Sequence, residues 1–93
     1  MSIERQYLAA LELTHQMLGA AVNQDWDTLV RVEKQRAVTM EDSARTAAIL
    51  SPAEKSRVAE IIQAIEHESA EIMERVQSWQ KDVGILLRMN NPT

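Results

Sequence analysis

The chain has 93 residues, enough for one domain, and it contains no cysteine, which excludes disulfides and thiolate metal sites. Its net charge of −4 at pH 7 disfavours nucleic acid and anionic membranes as partners, because an acidic surface repels phosphate groups. We expect no signal peptide and no insertion into a membrane, since no apolar run approaches the roughly 20 residues of a membrane span.

The first predicted helix runs from about Ile3 to Val22. Its bulky apolar residues recur at steps of three and four, the spacing that places side chains on one face of a helix. Thr14 interrupts this face. The residues of the face are Ile3, Tyr7, Leu11, Leu18 and Val22.

The second predicted helix runs from Trp26 to about Ile49, with Asp25 as its N-cap. Its face is less apolar than the first, because Glu33 and Arg36 interrupt it. These two residues are three apart and can pair, which leaves two interpretations: an ion pair of little energetic weight, or a polar recognition feature. The face comprises Trp26, Leu29, Glu33, Arg36, Met40 and Ala44.

The third predicted helix runs from Pro52 to about Met89 and has the clearest start signal in the chain. Ser51 is placed as an N-cap before a first-turn proline, and Glu54 completes a capping box. The face that follows has a heptad spacing of four and three, interrupted by one serine. Its residues are Val58, Ile62, Ile65, Ser69, Ile72, Val76, Trp79, Val83 and Leu86.

Three long helices with short connections predict a single all-α domain over residues 1–93, with three antiparallel helices in up-down-up order. At 1.5 Å per residue, the third helix is expected to overhang its partners by roughly 15 Å. The overhang would expose an apolar patch, which soluble monomers seldom leave bare. A client protein, a second copy in a homodimer, or the tail of the chain would cover it.

The predicted site is accordingly a surface for another protein, with no catalytic, cofactor or metal site. His15 and His67 are the only histidines, and neither has a second ligand at helical metal-site spacing. The acidic residues of the third helix fit a solvated face. A client helix would lie along the third helix and be framed by the second. The predicted partner-binding residues are Glu33, Arg36, Met40, Ile65, Ile72, Val76, Trp79, Val83 and Leu86.

Residues 16–36 resemble the FliT family of flagellar export chaperones. The shared element is W-D-x-L-x-x-x-E-x-x-R, formed here by Trp26, Asp27, Leu29, Glu33 and Arg36 after a first amphipathic helix. The resemblance implies a helical chaperone of the bacterial cytoplasm. It also implies binding to the C-terminal segment of the flagellar filament-capping protein and delivery to export apparatus components. Some members of the family also restrain the flagellar master transcription regulator.

Two other functions remain open from the sequence. One is a structural or co-regulatory helical subunit that binds protein without a chaperone role. The other is an all-helical chorismate mutase, an enzyme of similar length that dimerises and surrounds a dicarboxylate substrate with Arg and Lys. The first helix offers only Arg5 for such a cluster, so we predict that the protein is not an enzyme.

Overall fold

A computed structural model shows three α-helices in the part of the chain that it describes. They are α1 (Ile3–Val22), α2 (Trp26–Thr46) and α3 (Pro52–Met89). The structure describes residues 3–46 and 50–89, without the side chains of residues 46 and 86–89. The predicted all-α fold is confirmed, and the end of the predicted second helix, 47–49, lies outside the described residues. Within the described ranges, no helix is long and apolar enough to cross a membrane.

Two side-chain contacts fix the direction of α3 relative to α1. Arg57 Nε lies 3.2 Å from Glu4 Oε1, and His15 Nδ1 lies 2.5 Å from Glu68 Oε1. In each pair the two residues are 53 positions apart in the sequence, so α1 and α3 run parallel in a constant register. A short turn reverses the chain between α1 and α2, and α2 therefore runs opposite to both.

The packing of the three helices is unequal. α1 packs along both α2 and α3, whereas α2 and α3 approach each other closely at few positions. A groove therefore remains between α2 and α3, with α1 beneath it.

The third helix extends well beyond the other two, as predicted. The register with α1 places Val22 beside about residue 75 of α3, so α3 continues for about 14 residues, or about 21 Å, past the end of α1. The described residues measure 62 × 19 × 19 Å as a result.

The buried face of α1 is centred on smaller residues than the sequence analysis predicted. Ala10 and Thr14 are fully buried, whereas Val22, which the predicted face included, is exposed. Small side chains allow neighbouring helices to approach α1 closely, which is why they occupy the centre of the contact. The buried residues of α1 are Ile3, Tyr7, Ala10, Thr14, Met17, Ala20 and Ala21.

The buried face of α2 is also turned, by about one residue, from the predicted one. Leu29, Val32 and Ser43 are buried, while Glu33 and Ala44 are exposed. The buried hydroxyl of Ser43 is accommodated because it donates a hydrogen bond to the backbone oxygen of Thr39 at 2.7 Å. Part of the predicted face of α2 therefore faces the groove rather than α1.

Within the described residues the core divides into two clusters, one at each end of α1. One contains Met17, Ala20, Ala21, Leu29, Val32 and Ile72, and the other contains Ile3, Tyr7, Leu50 and Val58. Each large aliphatic side chain buried there contributes roughly 1.5–3 kcal/mol. Thr14 lies between the two clusters along α1.

The predicted N-caps are present at the starts of α2 and α3. Glu54 N–H donates to Ser51 Oγ at 3.2 Å, and Ser51 N–H donates to Glu54 Oε1 at 3.4 Å, the reciprocal pair of a capping box. Thr28 N–H donates to Asp25 Oδ1 at 3.3 Å, and its hydroxyl donates to Oδ2 at 2.7 Å. These two hydrogen bonds lower the pKa of Asp25, the hydroxyl bond having the larger effect.

The turn after α1 is a Schellman motif. Asp25 N–H donates to Ala20 O at 2.8 Å, and Gln24 N–H donates to Ala21 O at 3.2 Å. Gln24 occupies the left-handed position of this motif, with φ 57°. Glycine is the usual residue there, because a Cβ costs free energy in the left-handed region.

Candidate protein-binding groove

A groove of about 350 Å³ lies between α2 and α3. Met17 of α1 forms part of its floor. Its walls are predominantly apolar, which suits the apolar face of a partner helix. The wall residues are Trp26, Leu29, Val30, Glu33 and Arg36 from α2, and Ser69, Ile72, Met73, Val76 and Trp79 from α3.

One end of the groove is aromatic. The rings of Trp26 and Trp79 lie with centroids 4.9 Å apart and planes inclined at 51°. Such a tilted pair contributes about 0.5–1.5 kcal/mol beyond the apolar area it buries. Both tryptophans are only half-buried, so the pair joins α2 to α3 and still presents apolar surface to a partner.

The other end of the groove is polar. Arg36 Nη1 donates hydrogen bonds to Thr14 Oγ1 at 3.3 Å and to Ser69 Oγ at 2.8 Å. The Thr14 hydroxyl in turn donates to Ala10 O at 2.8 Å. The polar residues that interrupt the apolar faces of three different helices thus meet at one point. No ion pair joins Arg36 to Glu33 within the described chain, so the pairing considered in the sequence analysis is not formed.

The rim of the groove carries exposed apolar side chains on both walls. Val30 on α2 is 48% exposed and Met73 on α3 is 56% exposed. Two large apolar residues facing one opening form a contiguous patch with the groove floor, a feature typical of interaction sites.

The structure brings together five of the nine predicted partner-binding residues. Glu33, Arg36, Ile72, Val76 and Trp79 line the groove. The remaining four lie elsewhere or have no described side chain.

Ile65 is 4% exposed and belongs to the core rather than to the groove, because its face of α3 is turned onto α1. Met40 packs, partly buried, against the cluster that contains Tyr7 and Val58. Val83 is half-buried and lies on α3 beyond the groove, and the side chain of Leu86 is outside the described residues.

Four lining residues of the groove were not predicted as part of the site: Trp26, Leu29, Val30 and Ser69. Val30 and Met73 each follow a predicted face residue by one position, and so lie on the flank that points to the opening between α2 and α3. An open wedge between two helices exposes such flanks, whereas a closed three-helix bundle would not. The sequence does not show that α2 and α3 pack less closely with each other than with α1, and so it could not predict that these flanks line a groove.

The charged residues of the groove lining are Glu33 and Arg36. Arg36 is the one cation among the lining residues, so the lining does not form the cationic cluster that a dicarboxylate substrate needs. No group of three His, Asp or Glu side chains that could hold a metal ion occurs in the part of the chain that the structure describes.

Comparison with known families gives one result that covers nearly the whole chain. The family described as flagellar protein FliT matches residues 4–91 of the 93. Comparisons with curated proteins and with solved structures give no match. The FliT family is one of flagellar export chaperones and not of enzymes. With three helices in the expected order and a match over residues 4–91, the chain belongs to the FliT family.

Proposed function

We propose that this protein is a cytoplasmic chaperone that holds the C-terminal segment of the flagellar filament-capping protein in the groove between α2 and α3. It then delivers this client to the export apparatus. The observation that carries the proposal is an open apolar groove in a member of a flagellar chaperone family. An amphipathic client helix would bury its apolar face there.

The dimensions of the groove support a helical client. Its wall on α3 extends from Ser69 to Trp79, ten residues or about 15 Å, which corresponds to about three turns of a partner helix. Met17 and Met73 supply flexible side chains at the floor and rim, and methionine adapts well to varied apolar partners.

The predicted site continues along α3 beyond the groove. Val83 is half-buried and lies on the stretch of α3 past the end of α1. Leu86, which the heptad predicts on the same face, has no described side chain. We propose that a long client continues onto this stretch. A second copy of the chain is the competing occupant, and sedimentation of the free protein distinguishes the two.

Restraint of the flagellar master transcription regulator is proposed as a second role of the same surface. If both partners use the groove, a C-terminal peptide of the capping protein will displace the regulator from the protein in a titration. Simultaneous binding of both would contradict a shared site.

A matched pair of valine substitutions on α2 tests the groove directly. Val30 lies at the rim and is 48% exposed, while Val38 is 59% exposed and lies outside the groove. Val30→Glu should weaken binding of the cap peptide by about tenfold or more, because the client would have to bury a charge. Val38→Glu introduces the same charge on the same helix and should leave the affinity unchanged.

Isothermal calorimetry measures both affinities, and circular dichroism checks that both variants keep their helix content. Equal losses in the two variants, or no loss in Val30→Glu, would contradict the groove as the client site. Absence of any binding by the wild-type protein would instead favour a structural or co-regulatory subunit.

A further inference from the structure

We propose that Arg36 selects the client: the groove takes an amphipathic helix whose apolar face carries one aspartate or glutamate, and that carboxylate binds Arg36. The inference rests on the proposed function for the location of the site. It adds the chemical class of segment that the site accepts.

The guanidinium of Arg36 has unused hydrogen-bonding capacity. Both of its hydrogen bonds leave Nη1 and end on hydroxyl groups, those of Thr14 and Ser69. Within the described residues, Nη2 and Nε of Arg36 have no hydrogen-bond partner, and no carboxylate forms an ion pair with this side chain. Arg36 is half-buried and lines the groove, so its remaining N–H groups are accessible from the groove.

A client that covers the groove removes water from around Arg36. Water can hydrogen bond to Nη2 and Nε while the groove is open, but an apolar helix face would displace it. An unpaired cation in apolar surroundings is strongly disfavoured. A carboxylate removes that penalty, because its two oxygens match the planar fork of a guanidinium.

Arg36 is held in place before any client binds. Thr14 is fully buried and anchored to the α1 backbone, and Ser69 approaches from α3. The guanidinium is therefore fixed by contacts with all three helices. A pre-positioned donor loses little conformational freedom on binding, which favours selectivity for a complementary group.

The spacing of the groove predicts where the carboxylate lies in the client. Trp26 and Arg36 are ten residues apart on α2, so the aromatic and polar ends are separated by about 15 Å. A helical client should then have a large apolar residue at the tryptophan pair and an acidic residue about 10 or 11 positions away. Glu33 lies one turn from Arg36 and is exposed, so it repels a carboxylate placed nearer the aromatic end.

A carboxylate can also come from the C-terminus of a client, but a side chain fits the groove better. The last turn of a helix has four carbonyl groups without helical partners and the negative end of the helix dipole. Placing that turn in an apolar groove would bury these carbonyls unpaired. A side chain on a helix that continues through the groove avoids this.

A double-mutant cycle tests the inference. One partner is the full-length protein, as wild type or Arg36→Gln. The other is an amidated C-terminal peptide of the filament-capping protein, in which each Asp or Glu is replaced singly by Asn or Gln. One replacement should lower the affinity of the wild-type protein by about tenfold or more, and change that of Arg36→Gln by less than about twofold.

Two further variants separate recognition from structure. Ser69→Ala removes one internal hydrogen bond but keeps the cation, so the same peptide replacement should still matter. Arg36→Lys keeps the charge without the planar fork and should retain only part of the coupling. If Arg36→Gln does not fold, the comparison of Arg36→Lys with wild type carries the cycle.

The outcomes distinguish this inference from the proposed function. If the cap peptide binds but none of its acidic residues is coupled to Arg36, the inference is wrong. The filament-capping protein then remains the proposed client. Loss of binding on amidation of the free-acid peptide alone would overturn the side-chain assignment in favour of the terminal carboxylate.

A designed helical peptide, blocked at both ends and carrying Glu or Gln in a leucine stripe, provides the second probe. If wild type but not Arg36→Gln prefers the Glu form of this peptide, and the cap peptide does not bind, the inference is supported. The filament-capping protein is then not the client. No preference in either probe would overturn the inference.

Discussion

The two ends of the groove join α2 to α3 in different ways. At the aromatic end, Trp26 and Trp79 make a ring contact with centroids 4.9 Å apart, which requires no particular donor or acceptor. At the polar end, Arg36 reaches Thr14 and Ser69 through directional hydrogen bonds. Apolar contact is adaptable and provides binding energy, whereas hydrogen bonds to a fixed guanidinium specify one arrangement. Elsewhere α2 and α3 approach each other closely at few positions. The ring contact and the hydrogen bonds of Arg36 therefore lie at the two ends of the opening between these helices.

The largest effect is expected at the aromatic end. Trp79→Ala should weaken binding of the cap peptide by about 2 kcal/mol, because a tryptophan that packs at the end of a groove is typical of an interface anchor. The loss of folding stability should be smaller, since Trp79 is only half-buried. Calorimetry measures the affinity and thermal melting measures the stability.

Leu8→Ala provides the control for that substitution. Leu8 is an exposed apolar residue of α1 that does not line the groove, so its truncation should leave the affinity unchanged. A collapsed fold in Trp79→Ala, or unchanged peptide binding, would make Trp79 a core residue or a bystander and contradict the comparison between the two ends.

The next effect belongs to the polar end. Thr14→Val keeps the shape of a fully buried side chain but removes an acceptor of Arg36, and should lower the free energy of unfolding by about 1–2 kcal/mol. Thr39→Val is the matched control. Like Thr14, Thr39 donates its hydroxyl to the backbone oxygen four residues earlier, that of Gln35 at 3.0 Å, but it has no described hydrogen bond to another helix. Urea unfolding measures both variants. Equal losses would show that the link between helices adds nothing.

These two regions also differ in how well the sequence predicted them. Helical periodicity and the Ser51 capping box predicted the three helices, because both depend on local backbone geometry. Periodicity also placed Trp79 and Val76 on the inner face of α3, although not the partner of Trp79. The polar residues Thr14, Arg36 and Ser69 were recognised only as separate interruptions, since the distance between helices is not encoded in a local pattern.

The groove was partly predictable for a related reason. Ile72, Val76 and Trp79 follow the heptad and line the groove, but Ile65 follows the same heptad and does not line it. Which turns of α3 face α1 and which face the opening depends on how far α2 lies from α3. That distance is set by side-chain packing among all three helices, which a single sequence does not reveal.

A smaller effect is expected from a cap that touches neither end of the groove. Ser51→Ala removes the acceptor of the Glu54 N–H at the start of α3 and should destabilise the fold by about 1 kcal/mol. Peptide binding should be unchanged once the folded fraction is taken into account. This variant therefore provides a stability scale for the others. Superimposable urea transitions of variant and wild type would contradict the cap.

A smaller effect, of opposite sign, is expected in the turn that leads to the aromatic end. Gln24→Gly should raise the free energy of unfolding by roughly 0.5 kcal/mol, because glycine adopts the left-handed backbone at φ 57° without the strain of a side chain, although it gains more entropy on unfolding. Urea unfolding measures the change, and Asn23→Gly, one residue earlier and without a positive φ, is the control. Stabilisation of both variants would contradict the role of the left-handed position.

The smallest effect concerns the pH dependence of the same turn. The hydrogen bonds from Thr28 hold the pKa of Asp25 below its usual range, with the hydroxyl group as the larger cause. A group whose pKa is lowered on folding stabilises the folded state above its unfolded pKa, and this contribution is lost as the pH falls through the folded pKa.

Asp25→Asn keeps a good N-cap but cannot titrate. The wild type should therefore be more stable than Asp25→Asn near neutral pH, and the difference should shrink in acid. Because Asp25 is exposed, water competes for its carboxylate and the effect is small. Urea midpoints of both proteins across this pH range measure the difference, and a constant difference would show that Asp25 does not favour the folded state through its charge.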